Sequence, residues 1–365
     1  MGRRRRRFRP ISIATRHLAL GEVIRMSEVK LRKLGVSGPE VFPLALGCMG
    51  MGKAALYGES DPAEAIRTIH AGVAAAQAVG AKLLLDTGDF YGMGQNELLV
   101  RRALEELGSS GREQVVLSVK FGAMRAPSGA WLGADCRPAT VKNALGQSLS
   151  KLGVESVDIY RPARLDDSVP IEDTVGAMAE MVKQGYVKSV GLSEMGVETV
   201  RRAQTVTPIC DMQIEYGLAT RGIEAKILPG LREMGVGVTA YGVLSRGLLS
   251  GSVPQAKGDF RRYLPRFTGA NLTQNQALAT ALEEIAEEHG VSGTQLAIAW
   301  ALSRGEDILP LLGARTVAQM EEAIGALQVT LSADELARLE AAVPAEKVAG
   351  ARYDKHSMAH LDSER

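Results

Sequence analysis

Apolar runs of about five residues recur along most of this chain, each followed by a stretch with helical spacing. The runs are Val41–Leu46, Lys82–Leu85, Val115–Val119, Val157–Tyr160, Val187–Gly191, Ile209–Gln213, Val236–Ala240 and Ile308–Leu311, eight in all. Near-continuous apolar strands imply burial on both faces, as in a parallel sheet. Between them, Pro62–Val79, Asn96–Leu107, Thr140–Leu152, Ile171–Gln184 and Val197–Gln204 carry amphipathic helical spacing. Several open on Asp-Pro, Arg-Pro or Ser-x-x-Glu start signals. Extra helices over Asn275–His289 and Thr294–Ser303 separate the seventh and eighth strands, and a last helix covers Ala333–Ala342 with Ser332 as its N-cap. Ahead of the first unit, MSEVKLRKLGVSGPEVFPLALGCMG reads as two short strands joined by a Gly/Pro turn.

Eight β-then-α units predict a closed (β/α)8 TIM barrel, with extra helices before the last strand and at the C-terminus. The rival is a doubly wound sheet, which needs a glycine-rich phosphate turn running directly into a helix. The stretch LGCMGMGKAALYG has glycines at the wrong spacing, and no helix follows at once.

Composition refines this picture in three ways. The 365 residues carry 43 basic and 42 acidic side chains, but residues 1–25 alone hold +7, which leaves the body at −6. An acidic body excludes a general nucleic-acid binder. Residues 1–25 are read as a basic, disordered leader or an over-extended start, 26–345 as the barrel and 346–365 as a tail. No apolar run approaches the roughly 20 residues that span a bilayer. Three distant cysteines, Cys48, Cys136 and Cys210, fit a reducing cytoplasm. The five histidines leave positions 71–288 empty, which argues against a histidine-rich metal site or a mid-chain Ser/His/Asp triad.

Barrel chemistry gathers at the C-terminal ends of strands. There the sequence offers Asp86 and Tyr91 after strand two, Lys120 after strand three, Ser193 and Glu194 after strand five, and Gln213 in strand six. Strand seven supplies Tyr241 and strand eight Gly313 and Arg315. A carboxylate, an ammonium and a phenol at neighbouring strand ends make sense together. Asp86 would hold Lys120 charged, and the ammonium would lower the phenol pKa from near 10, so that Tyr91 exchanges a proton with a carbonyl oxygen or an alcohol.

These residues sit in fragments that resemble the aldo-keto reductases: KLGVSGPEVFPLALGCMGM, LLLDTGDFYGMGQNE, LSVKFG, SLSKLGVESVDIY, VPIEDTVGAMAEMVKQGYVKSVGLSE, QIEYGLATRGIE, YGVLSRGLLSG and GALQVTLSADELARLE. The resemblance spans nearly all of residues 29–343. It implies an NADPH-using barrel that reduces aldehydes and ketones, or runs the reverse, without a metal. It makes Tyr91 the general acid, tuned by Asp86 and Lys120. Ser193 and Gln213 would hold the nicotinamide carboxamide beside Glu194, and Tyr241 would stack on the ring. Gly242, Leu244, Arg246 and Gly247 belong to the segment lining the pyrophosphate. Arg315 would take the 2′-phosphate next to Gly313, with Gln319 and Glu322 facing the adenosine half. Position 323, often asparagine in the family, is Ala323.

One departure bears on the chemistry. The family's strand-four pattern resembles D-L-Y-Q-x-H-R, whereas this chain reads Asp158-Ile159-Tyr160-Arg161-Pro162-Ala163-Arg164, with alanine in place of the catalytic histidine. Three alternatives follow. Tyr91 works alone or with a water beside Ala163, Arg161 or Arg164 turns inward to polarise the carbonyl, or the barrel binds NADPH as a silent regulatory subunit. A segment of this kind also resembles a subgroup of pyridoxal reductases. Met49, Met51, Phe90, Met124 and Trp131 are expected to line an apolar substrate site together with Ala163. The expected partner is a small carbonyl or alcohol, not nucleic acid or membrane, and the expected assembly is a monomer or small homo-oligomer.

Overall fold

A computed structural model describes residues 29–52, 57–58, 60–254 and 258–365. The basic leader lies outside the described residues. Eight parallel strands close into a barrel: β3 (Ala45–Gly47), β4 (Leu83–Gly88), β5 (Val115–Phe121), β8 (Val157–Pro162), β9 (Val187–Ser193), β10 (Ile209–Glu215), β11 (Gly237–Tyr241) and β12 (Ile308–Leu312). Each overlaps one of the eight apolar runs. β12 returns to β3 through Leu311 opposite Ala45, which seals the ring. All six residues of β4 and all seven of β5 are buried, as two-sided burial in a parallel barrel requires.

The run Val41–Leu46 does not form one strand. Val41 pairs instead in a short antiparallel hairpin of β1 (Arg32–Lys33) and β2 (Glu40–Val41). Pro43 has no N–H for the ladder, so the barrel strand starts only at Ala45. The hairpin closes the barrel floor. Leu34, fully buried, joins Ala45, Leu84, Val116, Ile159 and Leu309 in an inner core. Gly35 has φ +58, and a side chain there would meet the Cys210 carbonyl at 2.5 Å, so only glycine lets the hairpin press this close.

Helices α1 (Pro62–Gln77), α2 (Gln95–Glu106), α3 (Pro138–Leu152), α4 (Ile171–Lys183), α5 (Val197–Gln204) and α6 (Ile227–Glu233) sheath the barrel. α7 (Gly269–His289) and α8 (Gly293–Ser303) precede β12, and α9 (Val317–Gly325) and α10 (Ala333–Ala342) follow it. Their starts are chemically marked. Asp61 accepts from the N–H groups of Ala63 and Glu64 ahead of Pro62, and Ser332 forms a capping box with Glu335. Two segments depart from the sequence expectation. The long loop after β5 contains a hairpin of β6 (Ala123–Arg125) and β7 (Trp131–Ala134). Residues 346–365 fold back over the barrel instead of trailing away: Arg352 and Leu361 are buried, and α11 (Lys355–Ala359) lies between them. Among the described residues, no helix is long and apolar enough to cross a membrane.

Candidate active site

Because all eight strands are parallel, their C-terminal ends share one mouth. β4, β5 and β8 are neighbours there, with Asp86 opposite Ser118, Gly88 opposite Lys120, and Lys120 opposite Arg161. Strand alternation points Asp86, Ser118 and Lys120 inward. Asp86, 1% exposed, pairs with the Lys120 ammonium, and accepts from the Ser118 hydroxyl at 2.8 Å and the Gln213 amide at 2.9 Å. Sequence reasoning missed Ser118, although its place two residues before Lys120 on one strand face carried the signal.

Tyr91 lies just beyond β4, 7% exposed. Its ring meets Phe90 edge-on at 4.7 Å, and the Lys120 ammonium lies 5.1 Å from its centroid. The site thus brings the three expected acid–base residues together. The phenol's acidity runs against expectation, however. Burial first, and Asp86 second, push it well above its ordinary value, while the Arg164 charge works the other way. Lys120 is lowered, by burial first, with Asp86 opposing and Arg161 adding to the shift. A buried phenol next to a carboxylate keeps its proton, because desolvation and the neighbouring negative charge both penalise the phenolate more than the Arg164 charge helps it. Tyr91 therefore stays protonated.

Ala163 is buried at the end of β8, its N–H donating to the Phe121 carbonyl at 2.8 Å. Arg161 cannot polarise a substrate. It is wholly buried inside the barrel, ion-paired with Asp211 at 3.0 Å. Arg164 is at the mouth, its guanidinium donating to the Ala163 carbonyl at 2.6 Å and to the Tyr353 hydroxyl at 3.4 Å. A cleft beside Tyr91 is lined by Met49, Met51, Gly92, Leu98 and Leu99. Met49 and Met51 therefore share this cleft with Tyr91, and Phe90 packs edge-on against the Tyr91 ring. Trp131 is on the β6–β7 hairpin beneath the Arg125 guanidinium at 5.4 Å, and that guanidinium feels the Arg164 charge and Tyr91, while Met124 on the same hairpin is exposed.

The residues expected to hold a cofactor follow one another along β9, β10, β11 and β12. Ser193 is buried opposite Gln213, and Tyr241 ends β11. The next loop is shaped for close backbone approach: Gly242, Ser245, Arg246 and Gly247 all have positive φ, between 47 and 89°. Leu244 sits half-buried at its head. Arg246, however, turns its guanidinium inward to Glu215 at 3.1 Å with a side chain only 5% exposed. Any phosphate contact from this position falls to its backbone. Gly313 is exposed, and Arg315 reaches the Tyr57 and Gly58 carbonyls at 3.3 and 3.1 Å. Gln319 accepts from the Arg315 N–H at 2.7 Å and so steadies that turn. Glu322 faces away from this line, accepting from Ser292 at the start of α8 at 2.6 Å, so its carboxylate serves helix packing. Serine, glutamine, tyrosine, a positive-φ loop and an arginine thus succeed one another in the order a dinucleotide presents amide, ring, pyrophosphate and ribose phosphate. This donor set fits that group. Among the described residues, no cluster of three or more His, Cys, Asp or Glu is placed to hold a metal.

Asp89, two residues before Tyr91, has one carboxylate oxygen buried without a hydrogen bond and the other 3.4 Å from the Gly122 N–H. Burial raises its carboxyl to about 7, opposed by that N–H and assisted by Glu97. The unfolded chain loses this proton near pH 4 and the folded chain near pH 7, so rising pH favours the unfolded state across that window and the deficit is constant above it. Asp89→Asn should therefore raise Tm at pH 8, with the difference shrinking to nothing near pH 4. A Tm difference independent of pH would contradict this.

A barrel with a buried carboxylate–ammonium pair beneath a tyrosine, and a dinucleotide-shaped line of donors beside it, is the framework of a nicotinamide-dependent oxidoreductase. The chain belongs to the aldo/keto reductase family, whose family model matches residues 43–344. It is 38% identical over 336 residues to probable aldo-keto reductase 1 of Glycine max, across 90% of this chain and 92% of that protein. Among solved structures it resembles the glycerol dehydrogenase of Gluconobacter oxydans, with TM-score 0.75 and 26% identity over 87% of this chain and 95% of that one. An aldo/keto reductase from Klebsiella pneumoniae, solved with NADP and acetate, shares the fold at TM-score 0.66 and 24% identity over 88% of this chain and 99% of that one.

Proposed function

We propose that this protein reduces an aldehyde or ketone to an alcohol with NADPH, or runs the reverse, with Tyr91 as the proton donor. The observation that carries this reading is the buried Asp86–Lys120 pair directly beneath Tyr91, beside an apolar cleft. The cofactor supplies hydride when bound. Tyr91 holds a proton at its hydroxyl and gives it to the carbonyl oxygen as negative charge develops there. Lys120, anchored by Asp86, faces the phenolate left behind, and Arg164 adds a second positive charge in its surroundings. Together they compensate for the histidine that Ala163 replaces. Met49 and Met51 give the cleft an apolar, adaptable wall that suits bulky carbonyls. Ser193 and Gln213 would orient the carboxamide, and the Gly242–Gly247 backbone would receive the pyrophosphate.

Mixing the protein with NADPH and a panel of aromatic, aliphatic and heteroaromatic aldehydes, pyridoxal among them, tests this reading. Carbonyl-dependent NADPH oxidation is expected. The second reading, a silent NADPH-binding barrel, is motivated by Ala163 and predicts binding with no oxidation by any carbonyl.

For cofactor choice, Arg315 supplies a planar cation suited to a dianionic 2′-phosphate. Arg315→Ala should weaken NADPH on the order of 10- to 100-fold and NADH little, since hydrogen bonds to charged groups contribute roughly 1.5–3 kcal/mol. Equal loss for both cofactors, measured by fluorescence titration, would refute the assignment.

A further inference from the structure

The segment after α10 touches the barrel mouth at the residues next to the nicotinamide position. Arg352, with a side chain 7% exposed, donates through both terminal nitrogens to Glu194, at 2.9 and 2.6 Å. Glu194 follows directly on β9 in a left-handed conformation, φ 53°, wholly buried. The Ser363 hydroxyl donates to the same carboxylate at 2.7 Å, and Asp362 accepts from the Gly196 N–H at 2.7 Å. Burial alone would raise the Glu194 carboxyl, but Arg352 outweighs it and holds the group ionised, at about 2.

The Tyr241 hydroxyl lies between this carboxylate, 2.6 Å away, and the Tyr353 hydroxyl, 2.9 Å away. Arg164 approaches the Tyr353 oxygen at 3.4 Å. A guanidinium only donates and a carboxylate only accepts. The chain can therefore run one way only: Arg164 to Tyr353, Tyr353 to Tyr241, Tyr241 to Glu194. The Tyr353 ring also carries the Arg246 guanidinium at 4.4 Å, and Arg246 donates to the Arg352 carbonyl at 3.1 Å, which ties the segment to the Gly242–Gly247 loop. The segment has other anchors besides Arg352 and Tyr353: Leu361 is buried, and Arg365 pairs with Asp167 at 2.8 Å.

We propose that the C-terminal segment is a clamp on the nicotinamide side of the site: Arg352 fixes Glu194, and Glu194 and the Tyr353 hydroxyl together fix the position of the outer end of the Tyr241 ring. Arg352 and Tyr353 are positioning residues, acting through Tyr241. The proposal rests on the reading of Tyr241 as the face on which the nicotinamide stacks. With its hydroxyl held by Glu194, Tyr353 and, at 3.4 Å, Arg352, the ring cannot swing away from the site, so the cofactor spends less affinity on ordering it.

The test measures NADPH affinity by fluorescence titration in the full chain for Tyr353→Phe, Tyr241→Phe and the double variant, with adenosine 2′,5′-bisphosphate as a probe of the adenosine half. Tyr353→Phe keeps the ring and its stacked guanidinium and removes only the hydroxyl. It should weaken NADPH about 3- to 10-fold, the worth of one hydrogen bond. It should leave the bisphosphate and Tm unchanged, and add nothing once Tyr241 is phenylalanine. Arg352→Met should weaken NADPH further, with Arg352→Lys recovering part of the loss. The clamp is overturned if Tyr353→Phe leaves NADPH affinity unaltered, if its effect is the same in both Tyr241 backgrounds, or if the bisphosphate weakens equally. Tyr241→Ala separates the two layers. If it weakens NADPH while Tyr353→Phe does not, the clamp alone fails. If it leaves NADPH affinity intact, the stacking assignment fails and the clamp falls with it.

Discussion

Tyr91→Phe should lower carbonyl reduction by about 10²- to 10⁴-fold, the usual worth of a positioned general acid, and leave NADPH affinity within about twofold. The substitution removes one oxygen. The ring keeps its edge contact with Phe90 and its place above the Lys120 ammonium, so neither the barrel mouth nor the cofactor line is disturbed. The effect belongs in kcat, because the lost proton transfer occurs only in the transition state. Because the Ala163 methyl carries no proton to share the role, the loss should sit at the upper end of the range. A fall of less than about tenfold would show that a water or another acid, and not Tyr91, delivers the proton. Loss of NADPH binding would mean that Tyr91 shapes the site rather than reacting in it.

The second large effect is expected at the pair below. Lys120→Met strips Asp86 of its hydrogen-bonded cation in a place water does not reach, leaving Ser118 and Gln213 as hydrogen-bond partners and the buried Arg161 as the remaining positive charge. Breaking a buried ion pair from one side costs about 3–5 kcal/mol, because the remaining charge is uncompensated. Denaturant unfolding should record that loss. Adding Asp86→Leu to Lys120→Met should recover most of it, since two apolar side chains of similar volume replace both charges. Turnover should not recover, because the phenolate formed at Tyr91 would have lost its nearest ammonium. Stability that stays low in the double variant would show that Asp86 is held for its bonds to Ser118 and Gln213 and not for the ion pair. Full turnover in the double variant would remove Lys120 from the proton chemistry.

The barrel was legible because its strands are apolar on both faces, a pattern that survives without any knowledge of tertiary contacts. Asp86, Tyr91 and Lys120 were legible for a related reason: polar residues stand out where an apolar strand ends. Three features escaped. The first strand was drawn too early because the apolar run hides Pro43, whose missing N–H moves the start of the ladder to Ala45. The β6–β7 hairpin was masked because its strands are only three and four residues long around a Pro-Ser-Gly turn. The chain end looked like a tail because Arg352, Tyr353 and Asp354 are polar, and its burial depends on Glu194, far away in sequence. Side-chain direction was also out of reach. Arg246 looked available to phosphate, but its partner Glu215 comes from a neighbouring strand and turns it inward. The phenol's acidity failed similarly, since proximity to Lys120 could be guessed but the degree of burial could not.

Deuterium transfer from NADPH labelled at the nicotinamide C4 hydride position tests the central claim most directly. The protein is incubated with the labelled cofactor and the aldehyde panel, and the alcohols are analysed by mass spectrometry and NMR. The account predicts one deuterium on the former carbonyl carbon, from one of the two C4 positions only, and none with Tyr91→Phe over the same time. Tight binding of NADPH with no label in any alcohol would contradict it and leave a barrel that holds the cofactor without using it.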